Sequence, residues 1–107
     1  MSDSEGAVIG GLLHDPSWFD EAATLIDARD FTNPALRKAW EDIAAMVRDG
    51  EEVDLFSLAE RGNDSRILDG LLDNTYGAGV PRWAQLVREA SLRKQAQAFF
   101  ADGHARL

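Results

Sequence analysis

"VIGGLLHDPSWFDE", residues 8–21, sets two adjacent glycines inside an apolar run. Val8, Ile9, Leu12 and Leu13 recur at the spacing of one helical face. Gly10 and Gly11 interrupt that face, and each costs about 1 kcal/mol against alanine in a helix. Two arrangements explain such a pair: a loop that cradles phosphate, which implies an α/β nucleotide-binding fold, or a close helix–helix contact, which implies a helical bundle. A phosphate loop needs Gly-x4-Gly-Lys-Ser/Thr, with backbone amides around the phosphate and a lysine reaching it. Here Leu12 and Leu13 follow the glycines, and no lysine occurs before Lys38. A dinucleotide fingerprint needs a strand before the glycines, and the residues ahead of them, "MSDSEGA", show no strand pattern. The pair therefore reads as packing, with the glycines thinning one helix so that a neighbour approaches its backbone.

The rest of the chain agrees. Its 107 residues suit one domain. No alternating strand pattern and no internal repeat occurs. The first helix is expected over residues 3–14, ending before Asp15-Pro16. A second opens at Ser17, where Ser17 and Asp20 form a Ser-x-x-Asp capping pattern. In "DFTNPALRKAWEDIAAMVRDG", residues 30–50, Asn33 is a good N-cap and Pro34 a good first helical residue. Leu36, Trp40, Ile43 and Val47 then form one helical stripe, with Trp40 central to the core, and Gly50 marks the stop. A short fourth helix is capped by Asp54 and turns Leu55, Leu58 and Ala59 inward. A fifth presents Ile67, Leu68, Leu71 and Leu72. The sixth starts at about Pro81 and is expected to reach Asp102, with Gly103 as its stop. The fold expected is all-α, a compact orthogonal bundle of about six helices. Residues 1–80 form a helical head and residues 81–107 a C-terminal helix.

That last helix carries two apolar stripes. Trp83, Leu86, Val87 and Ala90 form one, expected to pack on the head. Leu92, Ala96, Phe99 and Phe100 form the other, rotated around the axis, and a single small domain offers little to cover it. Charge is divided in the same place. Residues 1–81 hold six basic and 17 acidic side chains, whereas residues 82–107 hold five and two. The overall net charge of −8 opposes direct nucleic-acid binding. The cationic tail suits an acidic surface, including that of a second copy of the chain.

Catalytic signals are missing. There is no cysteine, hence no disulfide or thiolate metal site. His14 and His104 are the only histidines, and neither stands at ligand spacing from another. Ser17, Ser57, Ser65 and Ser91 lack a nucleophile-elbow context. Asp15, Asp20, Asp54 and Tyr76 are the groups on which a small acidic enzyme would have to rest, but acids at these positions read as caps and solvated turns. No catalytic residue, cofactor or metal is expected. No apolar run is long enough to span a bilayer, and the acidic start "MSDSEG" is unlike a secretory signal, so a cytoplasmic protein without a membrane partner is expected. Aromatic side chains anchor interfaces, which makes Phe19 and Tyr76 the partner-surface candidates, while Trp18 and Trp83 are expected in the core.

Residues 7–60, from "AVIGGLLHDPSWFDE" through "DFTNPALRKAW" to "VDLFSLAE", resemble the N-terminal domain of bacterial replicative DNA helicases, the DnaB family. Gly10, Gly11, Leu12, Leu13, Asp15, Trp18, Asp30, Phe31, Gly50, Val53, Asp54, Leu55, Leu58, Ala59 and Glu60 match that family's pattern in order. "AQLVREASLRKQ" resembles its Ala-x-x-Val-Arg-Glu-x-x-x-x-Arg segment, so the likeness spans about residues 5–98. The helicase-binding domain of primase has a similar fold, but its motif order fits less well. The stretch after Glu60 is shorter than in the family, and the chain stops within what would be a helical hairpin, short of an ATP-hydrolysing motor.

The resemblance implies an all-α, non-catalytic interaction domain. It pairs through the hairpin, helps build the collar of a hexameric ring, and meets primase and helicase loader. The parent helicase would contact DNA and ATP, but this domain would not. The uncovered stripe of Leu92, Ala96, Phe99 and Phe100 becomes the self-association candidate. The alternative is a free-standing phage- or plasmid-type adaptor or decoy that binds a host helicase or primase.

Overall fold

The computed structural model describes residues 3–105, with side chains for residues 4–96. Six α-helices occur in it and, among the described residues, no strand. They are α1 (Asp3–His14), α2 (Phe19–Ala23), α3 (Pro34–Arg48), α4 (Leu55–Glu60), α5 (Ser65–Leu71) and α6 (Val80–Ala105). Short 3-10 turns at Pro16–Trp18, Ala28–Asp30 and Gly77–Gly79 join them.

α1 is the central helix, packed on α3, α5 and α6 and on the 77–79 turn. Every residue from Val8 to Leu12 is buried, so the helix is enclosed on several sides rather than along one stripe. Leu13 is only half-buried.

α3 follows its sequence signals closely. The Asn33 side chain accepts from the amides of Ala35 and Leu36, which satisfies donors the helix leaves open at its start. At the other end Gly50 takes φ +73°, and Glu51 N–H donates to Met46 O at 2.8 Å. This left-handed closure suits glycine. Leu36, Ala39, Trp40, Ile43 and Met46 are buried. Val47, expected on the stripe, is half-buried, and Met46 takes its place in the core. The Trp40 ring lies 4.7 Å from that of Phe19 and 5.5 Å from that of Phe31, both tilted contacts that join three segments.

Two buried carboxylates fix the helix directions. Glu5 of α1 accepts from Thr32 N, Thr32 Oγ1 and Asn33 N at 2.8, 2.7 and 3.1 Å, tying α1 to the entry of α3. Asp30 accepts from Asp27 N at 2.9 Å and from Ser91 Oγ at 2.6 Å, with Arg88 Nη1 at 3.6 Å. Asp30 thus links the 28–30 turn to the middle of α6.

α6 has 26 residues, a length of about 39 Å at 1.5 Å per residue. The molecule measures 52 × 26 × 26 Å, so the helix is longer than the head is wide. Its start is buried through Val80, Ala84 and Val87. Residues 92–96 are exposed. The helix also continues through Gly103 to Ala105, so that glycine is not the stop expected of it.

Candidate functional site

The paired glycines lie at a helix crossing. A Cβ on Gly10 would collide with the backbone carbonyl of Leu71 and stand 2.7 Å from Thr75 Oγ1. On Gly11 it would stand 2.5 Å from Val80 Cγ2 and 2.8 Å from the Tyr76 carbonyl oxygen. One glycine therefore admits the end of α5 and the other the start of α6. Gly77 and Gly79 extend the same tight region, against the Trp18 and Trp83 rings. His14 closes it, with Nε2 at 2.9 Å from Leu72 O. The neighbours of the glycine pair are the end of α5, the 76–80 segment and Trp83.

Above this crossing runs a groove of about 820 Å³ between α1, α5 and α6, lined in part by Leu36, Leu71 and Trp83. Ile67 and Leu86 stand at its mouth, both large apolar side chains left exposed. Leu86 and Ala90, expected to pack on the head, are both exposed. The inward face of α6 is instead Val80, Trp83, Ala84 and Val87, of which Val80 and Trp83 meet Gly11 of α1.

The partner-surface candidates separate. Phe19 is only 8% exposed, and its ring packs on Trp40, so it belongs to the core and not to an interface. Tyr76 is 58% exposed and meets Trp83 edge-on at 5.0 Å. Its ring is available at the surface while its carbonyl backs Gly11. Of the self-association stripe, Leu92 is 45% exposed and Ala96 is exposed as well. The Phe99 and Phe100 side chains lie outside the described residues.

Of the acids that an enzyme reading would need, Asp15 and Asp54 serve as caps, as does Asp27, while Asp20 is exposed in the first turn of α2. Asp15, and not Ser17, caps the turn into α2: its Oδ1 accepts from Ser17 N and Ser17 Oγ. Asp54 Oδ1 accepts from Ser57 N at 2.7 Å at the start of α4, as the sequence indicates. Asp27 accepts from Arg29 N and pairs with its guanidinium at 3.0 Å. These bonds lower all three pKa values. The Ser17 hydroxyl and amide act on Asp15, the Arg29 guanidinium and amide on Asp27, and the Ser57 amide on Asp54. Hydrogen bonds to the ionised form hold these carboxylates charged. Among the described residues, no three acids or histidines converge as a metal set, and no helix is long and apolar enough to cross a membrane.

Glu5 is the site-building residue that sequence reasoning missed. It is 3% exposed and stands on the spacing of Val8, Ile9 and Leu12. A carboxylate on the apolar face of a helix is the signal that would have found it, since a buried charge requires donors.

Comparison with known proteins agrees with this architecture. The crystal structure of the N-terminal domain of DnaB helicase from Mycobacterium tuberculosis superposes with a TM-score of 0.82 at 23% identity. The match covers 92% of this chain and 80% of that one. Residues 1–97 match the DnaB-like helicase N-terminal domain as a sequence family. The chain belongs to the DnaB-like helicase N-terminal domain family.

Proposed function

We propose that this chain is a non-catalytic interaction module of DNA replication, which associates with itself through the distal half of α6 and thereby supports assembly of a helicase ring. The observation that carries the reading is the overhang of α6. Leu92 and Ala96 are exposed beyond the part of the helix that the head buries, and the sequence continues their stripe to Phe99 and Phe100. Exposed apolar stripes of this kind are characteristic of association surfaces. In this reading residues 1–80 form the head and residues 81–107 the first part of a pairing hairpin. Primase or helicase loader is the second class of partner, with Tyr76 an exposed aromatic available to it. Family membership and the absence of a phosphate loop from these 107 residues support a binding role, not hydrolysis.

Sedimentation velocity of this chain, alone and mixed with its primase, tests the proposal. A dimer or larger species at micromolar concentration, and a heavier one with primase, are expected. A monomer under both conditions, or ATP turnover by this chain alone, overturns it.

A further inference from the structure

A second cavity, of about 350 Å³, lies on the side of the head where the 28–30 turn, α3 and α6 meet. Arg29, Arg37 and Lys94 line it, one from each of those three elements. Arg88 stands beside it on Asp30. Four of the chain's 11 Lys and Arg residues thus gather around one opening, in a molecule of net charge −8.

The acids of the cavity do not face outward in the same way. Glu5 and Asp30 are 3% and 5% exposed. Glu5 is engaged by Thr32 and Asn33, and Asp30 by Asp27 N, Ser91 Oγ and Arg88. Asp27 is solvent-facing but is held by Arg29. The Arg29 side chain is nonetheless 90% exposed, and Lys94 is exposed too. Arg37 Nη2 donates to Phe31 O at 2.8 Å, which holds that guanidinium at the opening with further N–H groups to offer. The opening thus presents Arg37 and Lys94 to solvent beside the exposed Arg29–Asp27 ion pair, while the charges of Glu5 and Asp30 beneath are spent on the fold.

We infer that this cavity is a docking site for an acidic peptide segment of a partner protein, with Arg29, Arg37 and Lys94 receiving its carboxylates. Guanidinium groups match carboxylates in a forked geometry, and lysine adds a point charge. Carboxylate side chains on a folded partner suit the site better than nucleic acid does. An extended polyphosphate would leave the cavity and run over residues 1–80, which hold 17 acids against six bases. A short acidic segment fills the opening without meeting that repulsion. The inference rests on reading the chain as an interaction module, but not on self-association through α6.

The test is a titration of the whole chain with a fluorescein-labelled hexaglutamate peptide, read by anisotropy at low and moderate salt. Saturable binding that weakens with salt is expected. Arg29→Glu combined with Lys94→Glu should weaken it at least tenfold, because both side chains are exposed and their reversal leaves the fold in place, checked by circular dichroism. Arg66→Glu on α5, away from the cavity, should change it less than twofold. Sedimentation of the same samples shows whether α6 self-association survives, so the two readings fail separately. No saturation up to millimolar peptide overturns the inference. So does equal loss with Arg66→Glu, or tighter binding of a twelve-nucleotide oligothymidylate than of the peptide.

Discussion

The first and later turns of α6 meet different surroundings. Val80, Ala84 and Val87 pack on α1, where Gly11 leaves room for Val80. Leu92 and Ala96, on the same continuous helix, are exposed. The Asp30 contacts with Arg88 and Ser91 lie between the two regions. Proximal packing brings Val80 up to Gly11 of α1, while Leu86 on the same turns stays exposed. Under the proposed self-association, Leu92 and Ala96 of the distal part serve a surface between copies. Substitutions in the head should therefore change stability, and substitutions in the distal helix should change association.

The largest effect is expected at the centre of the head. Trp40→Ala removes the ring that joins Phe19 and Phe31 and should cost about 3–5 kcal/mol in a urea unfolding titration. An unchanged midpoint would mean that α3 does not hold the core together.

The glycines sharpen the comparison because propensity and packing oppose each other there. Gly10→Ala improves helix propensity by about 1 kcal/mol, yet its methyl group meets the Leu71 carbonyl and Thr75 Oγ1. Overpacking of this kind costs roughly 1–3 kcal/mol, so a net loss is expected, and Gly10→Leu or Gly11→Leu should lose more. A methyl group on Gly70 of α5 would have nothing within 4 Å of it. Gly70→Ala should accordingly raise the thermal midpoint. If Gly10→Ala is also stabilising, the close-contact account fails.

Smaller changes belong to the caps. Asn33→Ala removes the acceptor for two α3 amides and should cost about 1 kcal/mol. Asp15, Asp27 and Asp54 have pKa values lowered by their capping bonds. A carboxylate depressed in the folded state stabilises it above the ordinary aspartate pKa of about 3.9, and that contribution is lost as pH falls through the folded value. Thermal midpoints should therefore drop on acidification below about pH 4, with a shallower drop in Asp54→Asn. An identical acid profile for wild type and Asp54→Asn would remove that cap from the account.

How much of the molecule is legible in its sequence depends on whether the cause is local. The α3 caps, the Asp54 cap and the all-helical pattern rest on neighbours within a few residues, and the structure follows them. Phe19 has no such signal. Its position is set by Trp40, 21 positions away, and nothing local distinguishes an interface aromatic from a core one. On α6 hydrophobicity favours the larger Leu86 for the packed face, yet Ala84 is the residue buried there and Leu86 is exposed. At the entry to α2 two nearby acceptors, Asp15 and Ser17, compete, and the longer-reaching carboxylate caps the turn. Glu5 escapes a sequence reading because its partners, Thr32 and Asn33, come from a distant segment. The cationic cavity gathers Arg29, Arg37 and Lys94 from three elements and has no linear signature. The glycine pair, by contrast, announces a crossing without naming what crosses there.

The most direct test of the division within α6 is sedimentation equilibrium on Leu92→Asp combined with Phe99→Asp and Phe100→Asp, run beside thermal unfolding of the same protein. The account predicts a monomer where the unmodified chain associates, with intrinsic head stability changed by no more than about 0.5 kcal/mol, as for exposed substitutions. Unchanged association would contradict it, and so would a collapse of the head.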